Sequence, residues 1–162
     1  MFRVSSFLLF CVSLFVGLAS FYFQYVMHYT PCPLCLMQRI CVLGLIAICF
    51  WGVMKKSSTP SLWLLTAYAV FVGFGLYFSS RQVWLQSLPP EQMPACLPDL
   101  TILMKYFSMK SVLEALFLGA GDCGQVTWSW LGLSMAGWSL FYFVGMAIGG
   151  ILIMFIKWVV RV

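Results

Sequence analysis

Two cysteines three positions apart, Cys32 and Cys35, stand in the run YTPCPLCLMQR at residues 29–39, between two long apolar stretches. A Cys-x-x-Cys pair closes and opens a small disulfide ring, and that is redox chemistry rather than packing. Pro31 and Pro33 suit the first turn of a helix, where a missing N–H costs little. A helix starting here sets both sulfurs near its positive N-terminal end. Arg39, four residues beyond Cys35, then shares a face with it. Helix end and cation both favour the thiolate, which is the reactive species. The plain alternative for Arg39 is a side chain that snorkels to the lipid headgroups. Two further cysteines stand apart, Cys96 in a proline-rich run and Cys123 in a glycine-rich one.

Membrane spans must position these residues. Of the 162 residues, 63% are hydrophobic and 8% charged, against about a quarter charged in a soluble domain. Mean hydropathy is +1.00. The apolar residues fall into four blocks, at about 5–27, 36–54, 62–80 and 138–159, each close to the ~20 residues that cross the hydrocarbon layer. The expected fold is an all-α, four-transmembrane-helix bundle forming a single membrane domain over residues 1–162. Its long outer loop carries a short amphipathic surface helix. The first block is read as a retained span: it outruns a signal-peptide core and no clear small-residue cleavage site precedes Gln24.

Charge sets the expected orientation. Arg3, Lys55, Lys56, Lys157 and Arg161 flank the spans on one side without an acidic residue. Glu91, Asp99, Glu114 and Asp122, all the acids in the chain, fall on the other. The positive-inside rule places both termini and the 55–60 connector in the cytoplasm, and the loops at about 28–35 and 81–137 outside. The net charge of +5 therefore reflects topology, and no basic block points to nucleic acid.

Of seven cysteines, Cys32, Cys35, Cys96 and Cys123 lie on the outer side, while Cys11, Cys41 and Cys49 lie within spans as small apolar fillers. Four cysteines on an oxidising face can make two disulfides. Three uses are open. Static staples gain roughly 3–4 kcal/mol for a long loop on the chain-entropy model, but little for a Cys-x-x-Cys ring. A soft metal site is disfavoured by the spacing, which is not that of a zinc ribbon. A relay, in which one pair meets a soluble partner and the other a lipid-soluble acceptor, fits spacing and topology best.

Several smaller features complete the reading. His28, the only histidine, is an interfacial loop residue or a proton acceptor. The third span is expected to end near Ser79. Pro89, Pro90, Pro94 and Pro98 keep the next segment extended. Ser111-x-x-Glu114 resembles a capping box for the surface helix, and the tryptophan-rich WSWLGLSMAGW leads back into the fourth span. Gly145, Gly149 and Gly150 suit close helix packing.

These residues also carry a family likeness. The four spans resemble the disulfide bond formation protein B (DsbB) family of bacterial inner-membrane thiol oxidases. So do the Cys-x-x-Cys-x-x-x-Arg at Cys32, Cys35 and Arg39, the RQVWLQ run, PAC at Cys96, and GDC with WLGLSM after Cys123. The likeness covers nearly the whole chain. It implies a multi-pass inner-membrane protein, acting as a monomer, that supports disulfide formation in exported proteins. Cys96–Cys123 would be the disulfide attacked by a reduced periplasmic thioredoxin-fold oxidase (DsbA-like), with Cys96 forming the mixed disulfide. Cys123 would then pass electrons to Cys32. Cys35 would face a respiratory quinone, ubiquinone or menaquinone, with Arg39 stabilising negative charge and Gln82 as a further contact. Many relatives have histidine at the place of Gln82, and some have glutamate at that of Gln38. The vitamin K epoxide reductases also join cysteines to a quinone in four helices, but their membrane Cys-x-x-Cys comes late in the chain.

Overall fold

A computed structural model describes residues 2–54, 61–94, 105 and 108–161. The Cys96 arm and the 55–60 connector lie outside these. Four long helices form the body: α1 (Phe2–Tyr25), α2 (Pro33–Met54), α3 (Leu62–Gln86) and α5 (Met135–Arg161). The short α4 (Met109–Leu118) and a two-stranded hairpin, β1 (Ser129–Trp130) and β2 (Leu133–Ser134), belong to the segment between α3 and α5. All four long helices contain stretches long and apolar enough to cross a bilayer. Trp51 (64% exposed), Trp63 (81%) and Ile151 (66%) point away from the bundle, and lipid is the surrounding that suits so much exposed apolar surface on helices of this length. The protein is an all-α, four-helix membrane protein.

Packing follows chain order: α1 lies on α2, α2 on α3, and α3 on α5, while α1 and α5 meet along a much thinner seam. Lipid tails are as apolar as leucine, so helix contact here depends on fit. That fit comes from aromatic rings laid on glycine backbone. Phe71 covers Gly44, Phe143 covers Gly75, and Tyr68 covers Gly150. Of the glycines expected to pack, Gly150 and Gly149 do so, the latter against Leu9, whereas Gly145 has open space beside it. Leu34, Leu45, Phe78 and Phe143 are sealed in the resulting core.

Several element ends differ from the sequence expectation. α3 runs on to Gln86 instead of stopping near Ser79. Arg81 does not break it, because its guanidinium stacks on Trp84 at 4.2 Å. The helix stops at Ser87, just before Pro89 and Pro90, as the steric effect of proline on preceding residues requires. In α4 the cap is Ser108, whose Oγ accepts from the Ser111 N–H at 3.4 Å. A cap needs extended backbone, which Ser108 has at φ −67° and ψ 150°. Ser111 is already inside the helix. The re-entry to α5 contains a hairpin pairing Ser129 with Ser134 and Trp130 with Leu133. Its two-residue turn places Leu131 and Gly132 at φ 53° and 79°, the positive values a type I′ turn needs.

The ring-on-glycine contacts make a prediction. A Cβ at Gly75 would overlap the Phe143 ring, while Gly73 has nothing within 4 Å. Gly75→Ala is expected to destabilise the bundle by roughly 1–3 kcal/mol, with Gly73→Ala within about 0.5 kcal/mol of the parent. Thermal unfolding in detergent tests this; equal effects from the two would disprove the contact.

Candidate functional site

α2 starts where the proline pattern predicts. Cys32 is its cap: the Cys32 carbonyl accepts from the Leu36 N–H at 3.0 Å, and its Sγ accepts from the Cys35 N–H at 3.4 Å. The two sulfurs are 3.0 Å apart. Cys35 lies in the first turn of α2, one turn above Arg39.

Gln82 of α3 reaches this pair because the helix continues past Ser79. Its amide nitrogen donates to Cys35 Sγ at 3.2 Å and lies 3.5 Å from Cys32 Sγ. Its amide oxygen accepts from Gln38 Nε2 at 2.7 Å. Both glutamines are buried, at 4% and 6% exposed. Gln38 thus turns the N–H side of Gln82 toward the sulfurs.

Cys123 arrives from the far end of the outer segment. Tyr77 Oη donates to the Phe117 carbonyl at 3.2 Å, and Arg81 Nε to the Leu118 carbonyl at 3.1 Å. These bonds pin the end of α4 to α3. Gly119 follows at φ 81°, pressed so close to Leu34 and Leu85 that a Cβ would collide with both. Such a turn requires glycine. The chain then enters a buried 3₁₀ turn, Gly121–Gly124, that sets Cys123 (1% exposed) against Cys32. Interaction with Cys123 pushes the Cys32 pKa up, with contact to Cys35 and burial adding to the effect. The neighbouring Cys32 thiol pulls Cys123 down against the cost of burial, helped by the backbone N–H groups of Leu34 and Ala120. Of these two sulfurs Cys123 is therefore the one whose thiolate is favoured, and Cys32 the one whose thiol is.

The α1–α5 seam opens beside these sulfurs into a cavity of ≈ 640 Å³. Val12, Phe15, Val16, Trp138, Phe141 and Tyr142 give it apolar walls, and Cys32, Cys35, Gln38, Arg39 and Gln82 line its polar side. Asp122 and Trp128 belong to its lining from the outer segment, and Trp128 packs on Phe23 at 5.0 Å. Lower in the seam, buried Tyr142 donates to Ser13 at 2.7 Å and ties α5 to α1.

Of the six site residues expected from sequence, Cys32, Cys35, Arg39, Gln82 and Cys123 come together here. Cys96 lies outside the described residues. His28 stays in an exposed turn at φ 55°. Sequence reasoning missed Ser20 and Gln24, which hold Arg39, and the orienting role of Gln38. Polar residues four apart near the outer end of the first span were the available signal for the first two.

Thiols in mutual contact beside a cavity in a membrane bundle are what a thiol–disulfide oxidoreductase of the membrane requires. Comparison with known proteins carries this class to a family. The profile described as "Disulfide bond formation protein DsbB" matches residues 2–153, and the chain belongs to that family. Among similar curated proteins, one named "Disulfide bond formation protein B" from Stutzerimonas stutzeri is 38% identical over 130 residues, 80% of each chain. Proteins of the same name from Nitrosococcus oceani and Methylococcus capsulatus are 38% and 39% identical, covering 84% and 85% of this chain and 82% and 84% of their own. The protein is thus a multi-pass membrane oxidoreductase of disulfide bond formation.

The Cys32–Cys123 contact is directly testable. In a Cys35→Ser, Cys96→Ser double variant, mild oxidation is expected to join Cys32 to Cys123. Because the pKa of Cys123 is held low, its thiolate persists, and coupling continues, at a pH where an ordinary thiol is already protonated. Peptide mapping reads the bond. Two thiols that both react with maleimide yet never couple would contradict the contact.

Proposed function

We propose that the protein reoxidises a periplasmic thioredoxin-fold dithiol oxidase (DsbA-like) and delivers the electrons to a membrane quinone. The observation that carries this reading is the placing of the sulfurs: Cys123 packs beside Cys32, Cys32 and Cys35 both line the cavity, and Cys35 takes the closer Gln82 amide contact one turn from Arg39. In this scheme the partner's thiolate attacks Cys96 of a Cys96–Cys123 disulfide, forming a mixed disulfide and freeing Cys123 as thiolate. The partner's second thiol resolves the mixed disulfide, leaving the partner oxidised. Cys123 attacks Cys32 of a Cys32–Cys35 disulfide; the Cys123–Cys32 bond forms and Cys35 leaves as thiolate. Cys96 then displaces Cys32 from Cys123, restoring the outer disulfide and leaving Cys32 and Cys35 reduced. Two electrons have moved inward, and the partner's two thiol protons balance them.

The residues present fit a quinone. Its ring is flat and apolar with two acceptor oxygens, and the cavity offers aromatic walls with donors on one side. Arg39 has five N–H donors. Among the described residues three acceptors engage them, which leaves two for a ligand oxygen. When bound, a quinone supplies the two-electron, two-proton acceptor that a thiol pair lacks. Arg39 would hold it, Gln82 would keep Cys35 aimed at it, and the apolar walls would exclude water. Ubiquinone and menaquinone both satisfy this chemistry. The basic flanks of the spans support an inner-membrane orientation with termini in the cytoplasm and the cysteines in the periplasm.

Purified protein, reduced thioredoxin-fold oxidase and a soluble ubiquinone analogue are expected to give quinone reduction, followed by loss of its absorbance. Cys32→Ser, Cys35→Ser, Cys96→Ser and Cys123→Ser should each abolish turnover, and Cys11→Ser, Cys41→Ser and Cys49→Ser should not. Arg39→Ala should weaken quinone use at least about tenfold, the scale of one lost charge-assisted bond, without weakening capture of the partner. Turnover surviving in Cys35→Ser would end the relay reading.

A further inference from the structure

Arg39 is gripped from one side by α1. Its Nε donates to Ser20 Oγ at 3.0 Å and a terminal nitrogen to the Ser20 carbonyl at 3.1 Å. The other terminal nitrogen donates to Gln24 Oε1, and the Phe21 ring lies 4.8 Å from the guanidinium carbon. Ser20 and Gln24 are one helical turn apart, so a single face of α1 presents all three acceptors.

Every one of these partners is neutral. An arginine drawn out of water into a bundle is ordinarily paired with a carboxylate, which offsets the lost hydration. Such a partner would also cancel its field at neighbouring atoms. The groups around this guanidinium are Ser20, Gln24 and Tyr25 from α1 and Cys35 from its own helix. Gln82 from α3 and the exposed Asp122 from the outer segment line the same cavity. No carboxylate hydrogen-bonds Arg39 among the described residues.

We propose that Ser20 and Gln24 are positioning residues that fix Arg39 through uncharged acceptors alone, leaving its whole positive charge to act on the Cys35 thiolate and on anionic species in the cavity. The inference rests on the reading of Cys35 as the cavity-facing thiolate. It adds that the neutrality of position 24, and not merely its hydrogen bond, determines reactivity.

Gln24→Glu separates the two possibilities because it is nearly isosteric. Glutamate is the stronger acceptor, so a purely structural clamp would be served at least as well by it. On the charge account the new carboxylate pairs with Arg39, and the thiolate fraction at Cys35 drops about tenfold, as expected for one neighbouring charge. In reduced full-length protein at pH 7, iodoacetamide labelling of Cys35, followed by mass spectrometry, is therefore expected to slow about tenfold. Quinone kcat should fall similarly, with the exchange rate of the oxidised protein with reduced thioredoxin-fold oxidase unchanged. Gln24→Met, which removes the acceptor without adding charge, should slow labelling less than Gln24→Glu. Labelling and turnover at parental rates in Gln24→Glu would overturn the proposal. Should that variant not fold, Ser20→Ala decides: a severalfold rise in quinone KM with unchanged dithiol exchange supports the clamp, and an unchanged KM overturns it. A parent protein that reduces no quinone would sink the proposed function instead, while the labelling comparison would still judge the clamp.

Discussion

A 2.7 Å hydrogen bond between two buried amides, Gln38 on α2 and Gln82 on α3, is the contact on which the geometry of the site depends. Interhelical hydrogen bonds in membranes average only about 0.6 kcal/mol, so its value to stability is small beside the packing around it. Its effect is orientation. An amide presents donor and acceptor on opposite sides, and engaging the oxygen commits the nitrogen. The nitrogen of Gln82 therefore faces Cys35 and Cys32. An amide cannot titrate in the working pH range, so this donor is present whatever the protonation of its surroundings.

The same region reconciles two demands that pull against each other. A thiol pair working beside lipid must be desolvated enough to exclude water, yet burial disfavours thiolates. The fold answers with donors and not with more solvent. The start of α2 supplies backbone N–H groups, Gln82 an amide, and Arg39 a full charge. Cys123 shares the first of these sources, since the turn beyond Gly119 brings it down on the opening turn of α2, beside the Leu34 N–H. One helix N-terminus thus serves three sulfurs.

Stability and access are divided between different helix pairs. Rings on glycines lock α2 to α3 and α3 to α5, and the core runs along those contacts. The α1–α5 pair is left loose at the level of the sulfurs and closed by the Ser13–Tyr142 bond deeper down. A cavity in the tight half would cost packing energy that the bundle recovers nowhere else. At the seam it interrupts little.

Much of this protein was legible in the sequence because the bilayer imposes simple rules. Block length gave four helices, and the prolines with Cys32 and Cys35 gave the start of α2. Family motifs pointed to Cys123, Arg39 and Gln82 as well. These signals are local, carried by spacing along a single helix or by composition. What sequence reading missed depends on neighbours distant in the chain. The extension of α3 through Arg81 rests on a stacked Trp84 and on the carbonyl of Leu118. The cap of α4 depends on the backbone conformation of Ser108, and Ser111 carried the same side chain without it. Gln38 read as the mere absence of a charge, and Ser20 and Gln24 as incidental polar residues. Their roles exist only once α1 and α3 are laid against α2. Residue type and spacing determined which groups could do redox chemistry in a membrane. The tertiary structure alone decided which sulfur touches which and what holds the arginine, because those contacts join residues that no local rule relates.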